Sequence, residues 1–323
     1  KALSVNPNYA EAHNNMGVTL QDQGKLTEAI EAYTKALCIN PNYAEAHNNM
    51  GITLQDQGKL EGAIEAYIKA LSINPDYTDA HNNMGVTLQD QGKLEEAIEV
   101  YTKALSINPD YDEAYNNMGN ALKGVTFTKP DRDLQSTIFS LLDRERYVRP
   151  NEIAKAAISL LKLEPTLGKH LQSIDTDIEE SPLEIISYIS ELPLLLKLMS
   201  VCPLPDLELE KLLTNLRRYI LLNISSVEEA SVELLGLQSA LALQCFTNEY
   251  IYSYSDEEEE ILKLLEASVK KHLENNDQPS PHVVLTLASY KALNCYEWYQ
   301  LLAVTDSIQE VFTRQVKEPQ KEN

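Results

Sequence analysis

The sequence predicts an all-α protein in two parts, a solenoid of helix-turn-helix units over residues 1–123 and an all-helical domain over residues 124–323. Three observations predict it. A 34-residue segment recurs along the first part. Apolar residues in both parts recur at intervals of three and four, the spacing of one helix face. The second part shows no convincing strand pattern, and the chain is long enough for about two domains.

The repeats account for the whole of the first part. The three full copies are Asn6–Ile39, Asn40–Ile73 and Asn74–Ile107. A fourth copy begins at Asn108 and is no longer recognisable after Leu122, while residues 1–5 (KALSV) match the end of the unit. Each hairpin has an apolar face that it cannot bury alone, so neighbouring units must stack into an array. We therefore expect three full repeats with a partial repeat at each end.

One unit shows how the hairpin forms. The first helix places five residues at helical spacing on one face: Ala44, His47, Met50, Gly51 and Leu54. Gly58 is expected to end this helix, and Pro75 to end the second. The second helix presents Ala63, Tyr67 and Ala70 on its inner face. Small residues on both helices let the two backbones approach closely.

This unit resembles the tetratricopeptide repeat (TPR) family at nearly every signature position. It departs where the family often has a large aromatic residue early in the first helix, a position held by His13, His47, His81 and then Tyr115. We expect these histidines to be packed in the core rather than to bind metal. The resemblance implies that the first helices line a concave groove that holds a peptide or protein segment.

By helical geometry, the candidate binding residues lie on the first helices opposite their packed face. They are Glu11, Asn15, Val18, Asp22, Glu45, Asn49, Ile52, Asp56, Asp79, Asn83, Val86, Asp90 and Asn117. The asparagines among them predict a ladder of side-chain amides, whose donors and acceptors suit an extended backbone. This ladder resembles the one in the TPR region of O-linked N-acetylglucosamine transferases. Alternatively, recent duplication carried the asparagines along, and the array is a spacer or oligomerising module.

The charge balance restricts the partner. The formal net charge is −22, from 49 acidic and 27 basic side chains, which disfavours nucleic acids and anionic membrane surfaces. No apolar run reaches the length of a membrane span. Residues 1–123 contain 17 acidic residues, 8 lysines and no arginine, so we do not expect the basic clamp with which co-chaperone TPR domains hold a C-terminal carboxylate. A neutral or basic protein or peptide is the expected partner.

The second part is predicted to be helical throughout. The expected helices are Asp131–Asp143, Pro150–Leu163, Leu183–Met199, Leu207–Asn223, Ser226–Tyr254, Asp256–Glu274, Pro281–Leu293 and Trp298–Val316. The acidic run at 256–260 suits a helix start. The only glycines after residue 123 are Gly124, Gly168 and Gly236, so no phosphate-cradling or dinucleotide loop is expected. We expect the four cysteines to be small buried residues of a protein in a reducing compartment, the cytoplasm.

Several blocks of the second part resemble the helical segment of bacterial TPR-containing S-adenosylmethionine (SAM) methyltransferases. The blocks are SELPLLLKLMSVCPLPDLELEKLLTNLRR, LQCFTNEYIYSYSDEEEE, LTLASYKAL and VFTRQVKEP. The resemblance implies a class I methyltransferase domain after this segment, in a longer parent protein. The glycine-rich SAM loop and the acidic ribose-binding residue have no counterpart in these 323 residues, so no catalytic residue, cofactor or metal site is assigned to them.

These observations predict a non-catalytic scaffold that recruits a protein or peptide, and a helical domain that connects it to a methyltransferase in the parent protein. Two other functions stay open: a stand-alone acidic adaptor or oligomerisation module, and the front end of a TPR glycosyltransferase. Self-association through open repeat ends is a further expectation.

Overall fold

The computed structural model describes residues 9–144, 146–173, 182–226 and 230–318. In these residues the chain forms seventeen α-helices and no β-strand, which confirms the predicted all-α fold. The chain divides into two compact units. Of the described residues, the first unit comprises 9–125 and 146–148, and the second comprises 126–144, 149–173, 182–226 and 230–318. Residues 146–148 thus pack with the repeats, although the sequence places them in the second part.

From residue 9 onward, the first unit contains seven helices, arranged as three hairpins and a single last helix. They are α1 (Ala10–Asp22), α2 (Leu26–Ile39), α3 (Ala44–Asp56), α4 (Leu60–Ile73), α5 (Thr78–Asp90), α6 (Leu94–Ile107) and α7 (Asp112–Ala121). Gly58 follows α3 with a backbone φ of +73°, a left-handed conformation that glycine adopts without steric cost. The helix break predicted there is confirmed.

Glycine–tyrosine contacts hold each hairpin together. An ideal Cβ on Gly51 of α3 would lie 2.6 Å from Cε1 of Tyr67 on α4. The Tyr67 side chain is completely buried. The same contact recurs between Gly17 and Tyr33 and between Gly85 and Tyr101. The predicted close approach of the two backbones therefore depends on a missing side chain in the first helix, which makes room for a ring from the second.

The fourth repeat replaces its second helix with the segment Arg146–Val148. Gly119 stands in the register of Gly51, and an ideal Cβ on it would lie 3.2 Å from Val148 Cβ. Tyr147 stacks on Tyr115, with ring centroids 5.8 Å apart. Arg146 forms an ion pair with Asp112 at 2.8 Å. Tyr115 stands at the position that histidine occupies in the other repeats, and its ring stacks on Tyr147 of this cap.

The described residues of the second unit form ten α-helices. They are α8 (Arg132–Leu142), α9 (Pro150–Leu161), α10 (Pro165–Ser173), α11 (Pro182–Ser190), α12 (Pro193–Val201), α13 (Leu207–Leu222), α14 (Val232–Thr247), α15 (Asp256–Glu274), α16 (Pro281–Ala288) and α17 (Gln309–Phe312). Helix α14 is almost entirely buried along its middle, as its apolar sequence indicates. Ser255 and Glu258 form a reciprocal capping box at the start of α15, so the acidic run does open a helix.

Four of the predicted helices have the wrong extent. Pro193 divides Leu183–Met199 into α11 and α12, because proline has no backbone N–H and its ring excludes the helical conformation before it. The helix predicted over Ser226–Tyr254 begins at Val232 and ends at Thr247, and Glu249 and Tyr250 beyond it have positive φ. Residues 227–229 lie outside the described residues.

The last part of the chain is less regular than predicted. Helix α16 ends at Ala288 instead of Leu293. The helix predicted over Trp298–Val316 is a series of 3-10 turns, the short α17 and a π-helical turn at Thr313–Lys317. Helix α10 was missed, although Leu167, His170 and Leu171 are buried at helical spacing; it is only nine residues long and contains Gly168, which disfavours a helix interior. The expectation of buried cysteines is correct for Cys202 and Cys245 and wrong for the exposed Cys38 and Cys295; all four are free thiols.

Candidate functional site

The thirteen candidate residues all lie on the first helices of the repeats, and none of them is buried. Helices α1, α3, α5 and α7 carry them at a 34-residue spacing. We call the surface formed by these thirteen side chains the ladder face. Asn15 and the six carboxylates are exposed, whereas Asn49, Asn83 and Asn117 are half-buried. The side chains are thus accessible to a ligand.

The asparagines of the ladder face are tied to the preceding repeat. Asn49 Nδ2 donates to Asn14 Oδ1 at 3.2 Å. The same bond joins Asn83 to Asn48 at 3.2 Å and Asn117 to Asn82 at 3.1 Å. Asn14, Asn48 and Asn82 are almost completely buried. Each half-buried amide is therefore held in one orientation by a buried amide behind it.

These bonds leave part of each amide for a ligand. Each of Asn49, Asn83 and Asn117 commits one N–H of its amide to the preceding repeat. In the described part of the chain, the side-chain hydrogen bonds of these three asparagines use an N–H and not the oxygen. A primary amide has two N–H donors and an oxygen with two lone pairs. One N–H donor and the oxygen acceptor of each of these three amides are thus available to an extended backbone.

The carboxylates at the ends of the first helices are also anchored across repeats. Gln21 Nε2 donates to Asp56 Oδ2 at 3.0 Å, and Gln55 Nε2 donates to Asp90 Oδ2 at 2.9 Å. The oxygen of Gln21 accepts from the hydroxyl of Tyr33 at 3.2 Å. Each of these series of hydrogen bonds runs from a buried tyrosine through a glutamine to a carboxylate on the next repeat. Each series therefore joins the core of a hairpin to the ladder face.

Tyrosines and carboxylates meet at the beginnings of the first helices. The Tyr111 hydroxyl donates to Asp79 Oδ1 at 2.9 Å, and Asn14 Nδ2 donates to Glu45 Oε1 at 3.3 Å. Burial and the nearby charge of Glu45 raise the pKa of Tyr43, and burial and Asp79 raise that of Tyr77. These hydroxyls stay protonated at neutral pH, and the carboxylates make the ladder face acidic.

The histidines fill the gap between a first helix and the loop before it. His47 Nε2 lies 3.1 Å from the carbonyl oxygen of Pro41, and His81 Nε2 lies 2.9 Å from that of Pro75. Burial lowers the pKa of both imidazoles. Neutral rings must therefore carry the proton on Nε2 to donate to the carbonyl. His81 is buried as expected, whereas His13 and His47 are only half-buried.

The described residues do not place three histidine, cysteine, aspartate or glutamate side chains together in a metal-binding arrangement. No helix in the described part of the chain combines the length and apolar character needed to cross a bilayer. The chemistry that the ladder face does present is hydrogen bonding through fixed amides and ionic attraction through exposed carboxylates.

Sequence reasoning missed the residues that position the ladder face. These are the buried asparagines Asn14, Asn48 and Asn82 and the glutamines Gln21 and Gln55. Each repeat has two consecutive asparagines, and this pair is the sequence signal from which the buried asparagines could have been predicted. Neighbouring positions on a helix point in different directions, so one asparagine can face inward while the next remains accessible.

Comparison with known proteins identifies the repeats. Tetratricopeptide-repeat models match residues 1–31, 20–58, 53–92 and 87–124. No curated protein matches the chain.

Three solved structures illustrate the likeness. The first TPR of Spaghetti (RPAP3), bound to the HSP90 peptide SRMEEVD, is 28% identical with a TM-score of 0.34, over 35% of this chain and 89% of that one. MamA is 27% identical with a TM-score of 0.38, over 52% and 86%. A Thermobaculum terrenum O-GlcNAc transferase mutant is 24% identical with a TM-score of 0.36, over 42% and 26%. With the family models, the hairpins and their glycine–tyrosine contacts, residues 1–124 are an array of tetratricopeptide repeats.

Proposed function

We propose that the repeat array is a non-catalytic scaffold that captures an extended protein or peptide segment along the ladder face. The observation that carries this proposal is the set of amide pairs between successive repeats. Asn49, Asn83 and Asn117 are held by buried partners 3.1 to 3.2 Å away. Because they are already oriented, a ligand backbone loses less free energy in ordering them on binding.

The charge of the repeats indicates what kind of segment binds. Residues 1–123 carry 17 acidic side chains, 8 lysines and no arginine. An acidic peptide end would meet carboxylates instead of the cations it requires. The partner we propose is therefore a neutral or basic segment, and capture of a C-terminal carboxylate is not part of the proposal.

A pull-down with the double variant Asn49→Ala, Asn83→Ala tests the ladder face. We expect the capture of proteins that bind the parent chain to be lost or strongly reduced, because the variant removes two of the side-chain amides of the ladder face. The matched control is Ser72→Ala, Ser106→Ala, which truncates two exposed side chains at the same repeat spacing on α4 and α6. Circular dichroism checks that both variants stay folded. Equal capture by both double variants would refute the assignment of the binding face.

We further propose that the scaffold serves a SAM-dependent methyltransferase. The support is the resemblance of the four quoted blocks in the second part of the sequence. Reading the source gene beyond the codon for Asn323 tests the link directly, and a class I methyltransferase sequence is the expected result. A glycosyltransferase sequence there would favour the alternative parent enzyme. Calorimetry of the 323-residue chain with SAM is expected to show no heat of binding, and measurable binding would overturn the non-catalytic assignment.

A further inference from the structure

A cleft of about 580 Å³ opens in the second unit beside helices α8, α11 and α12. Its volume is within the range of small-molecule sites in proteins, about 300–1,000 Å³. One wall is apolar and includes Phe139, Leu192 and Leu194. The polar lining includes Arg132, Glu164 and Tyr188. The cleft therefore combines apolar surface with a few converging polar groups, as ligand sites do.

Glu164 is the unusual group in this cleft. It lies in the turn before α10, where its backbone N–H donates to the Leu161 carbonyl at 2.9 Å. Only 8% of the residue is exposed. Its Oε1 accepts from Gln135 Nε2 at 2.9 Å. A nearly buried carboxylate with one neutral hydrogen bond lacks the charge compensation that normally offsets its lost hydration.

The cation nearest to Glu164 does not supply that compensation. Arg132 Nη2 lies 3.8 Å from Glu164 Oε2, beyond hydrogen-bonding distance. The Arg132 side chain is 87% exposed, so its charge is largely hydrated and contributes little to the pair. Because Glu164 lines the cleft and its side chain is 10% exposed, its carboxylate can meet a second cation that enters there.

Aromatic surface completes the site. Phe139 and Tyr188 both line the cleft, and the faces of such rings attract cations. The ring of Tyr188 packs against that of His170, with centroids 5.6 Å apart. Burial and the charge of Glu164 raise the pKa of Tyr188. Its hydroxyl therefore stays neutral and adds no second negative charge.

We infer that this cleft binds an organic cation, an alkylammonium group attached to an apolar or aromatic body, with Glu164 as its counter-ion. The apolar wall receives the body and the buried carboxylate receives the ammonium head. Glu191 also lines the cleft, so two carboxylates against one arginine disfavour an anionic ligand. This inference is independent of the function proposed for the repeats.

Titration of the full chain with phenethylammonium, followed by calorimetry, tests the inference. Glu164→Gln removes the charge but keeps an oxygen that accepts from Gln135, and we expect at least about a tenfold loss of affinity. Glu191→Gln removes an equal charge from an exposed position in the same cleft, and its effect should stay below about threefold. Arg132→Gln removes a largely hydrated cation from the edge of the cleft, so binding should stay within about threefold of the parent or become slightly tighter.

A neutral isostere separates the charge from the apolar contacts. Binding of 2-phenylethanol should be weaker than that of phenethylammonium and insensitive to Glu164→Gln. Thermal melting verifies that the variants fold as the parent does. The inference is overturned if phenethylammonium shows no saturable binding at millimolar concentration, or if Glu164→Gln and Glu191→Gln behave alike. Binding more than about threefold weaker in Arg132→Gln would also overturn it, since Arg132 would then be holding an anionic group.

Discussion

Replacement of Gly51 by alanine should destabilise the second repeat, although alanine is the better helix former. An ideal Cβ there lies 2.6 Å from Tyr67 Cε1 and 2.9 Å from two further ring atoms. Carbon atoms in good contact are about 3.5–4.0 Å apart, so the ring must move by roughly 1 Å. Tyr67 is fully buried and its hydroxyl reaches Gln55 at 3.4 Å, so neighbouring groups oppose that movement.

The magnitude follows from two opposing terms. Overpacking a core lowers the free energy of unfolding by about 1–3 kcal/mol. Replacing glycine by alanine within a helix raises it by about 1 kcal/mol. Because the 2.6 Å contact is with a fully buried ring, we expect a cost of about 2–3 kcal/mol, in the upper half of that range, and hence a net loss of about 1–2 kcal/mol in the free energy of unfolding. Gly62 provides a matched control in α4, because a Cβ there lies 3.6 Å from Leu54 Cδ1, an ordinary contact. Gly62→Ala should therefore stabilise the same hairpin by about 0.5–1 kcal/mol.

Urea unfolding followed by far-UV circular dichroism measures both variants, and hydrogen exchange of α3 and α4 assigns the effect to this hairpin. The two substitutions have the same chemistry and opposite expected signs. If Gly51→Ala were as stable as the parent, or if both substitutions shifted stability in the same direction, the glycine–tyrosine contact would not be what sets the helix spacing.

Two further predictions concern the cap and the histidines. Val148→Ala should lower the free energy of unfolding by about 2 kcal/mol, since Val148 is 5% exposed and contacts Gly119. Hydrogen exchange should become faster in α7 alone, and unchanged exchange there would show that Val148 does not cap the array. Because burial lowers the folded-state pKa of His47 and His81 below the ordinary 6.5, the unfolded chain binds protons first and stability should fall as pH drops below about 6.5. The double variant His47→Phe, His81→Phe should flatten melting temperature between pH 7 and 5.5, and an equal slope in the parent and the variant would contradict the assignment.

Local patterns in the sequence were sufficient to predict most of the structure of the repeat unit. The period of 34, Gly58 after the first helix and the spacing of Ala63, Tyr67 and Ala70 all follow from helix geometry and turn chemistry. The same reasoning placed the thirteen side chains of the ladder face where they are not buried, and their role in binding stays a prediction. It failed at Pro193, where an apolar run continues through a residue that cannot continue a helix.

The sequence by itself determined that the first part is a stacked array of hairpins, since every unit repeats the same short-range contacts. Only the tertiary structure decided that Val148 replaces the missing second helix of the fourth repeat, and that Asn49 is held by Asn14 of the preceding unit. It also decided that Glu164 and Gln135, 29 residues apart, share one cleft. The physical reason is that periodicity reports which face of a helix is buried, whereas the identity of the group that covers it depends on contacts between segments distant in the chain.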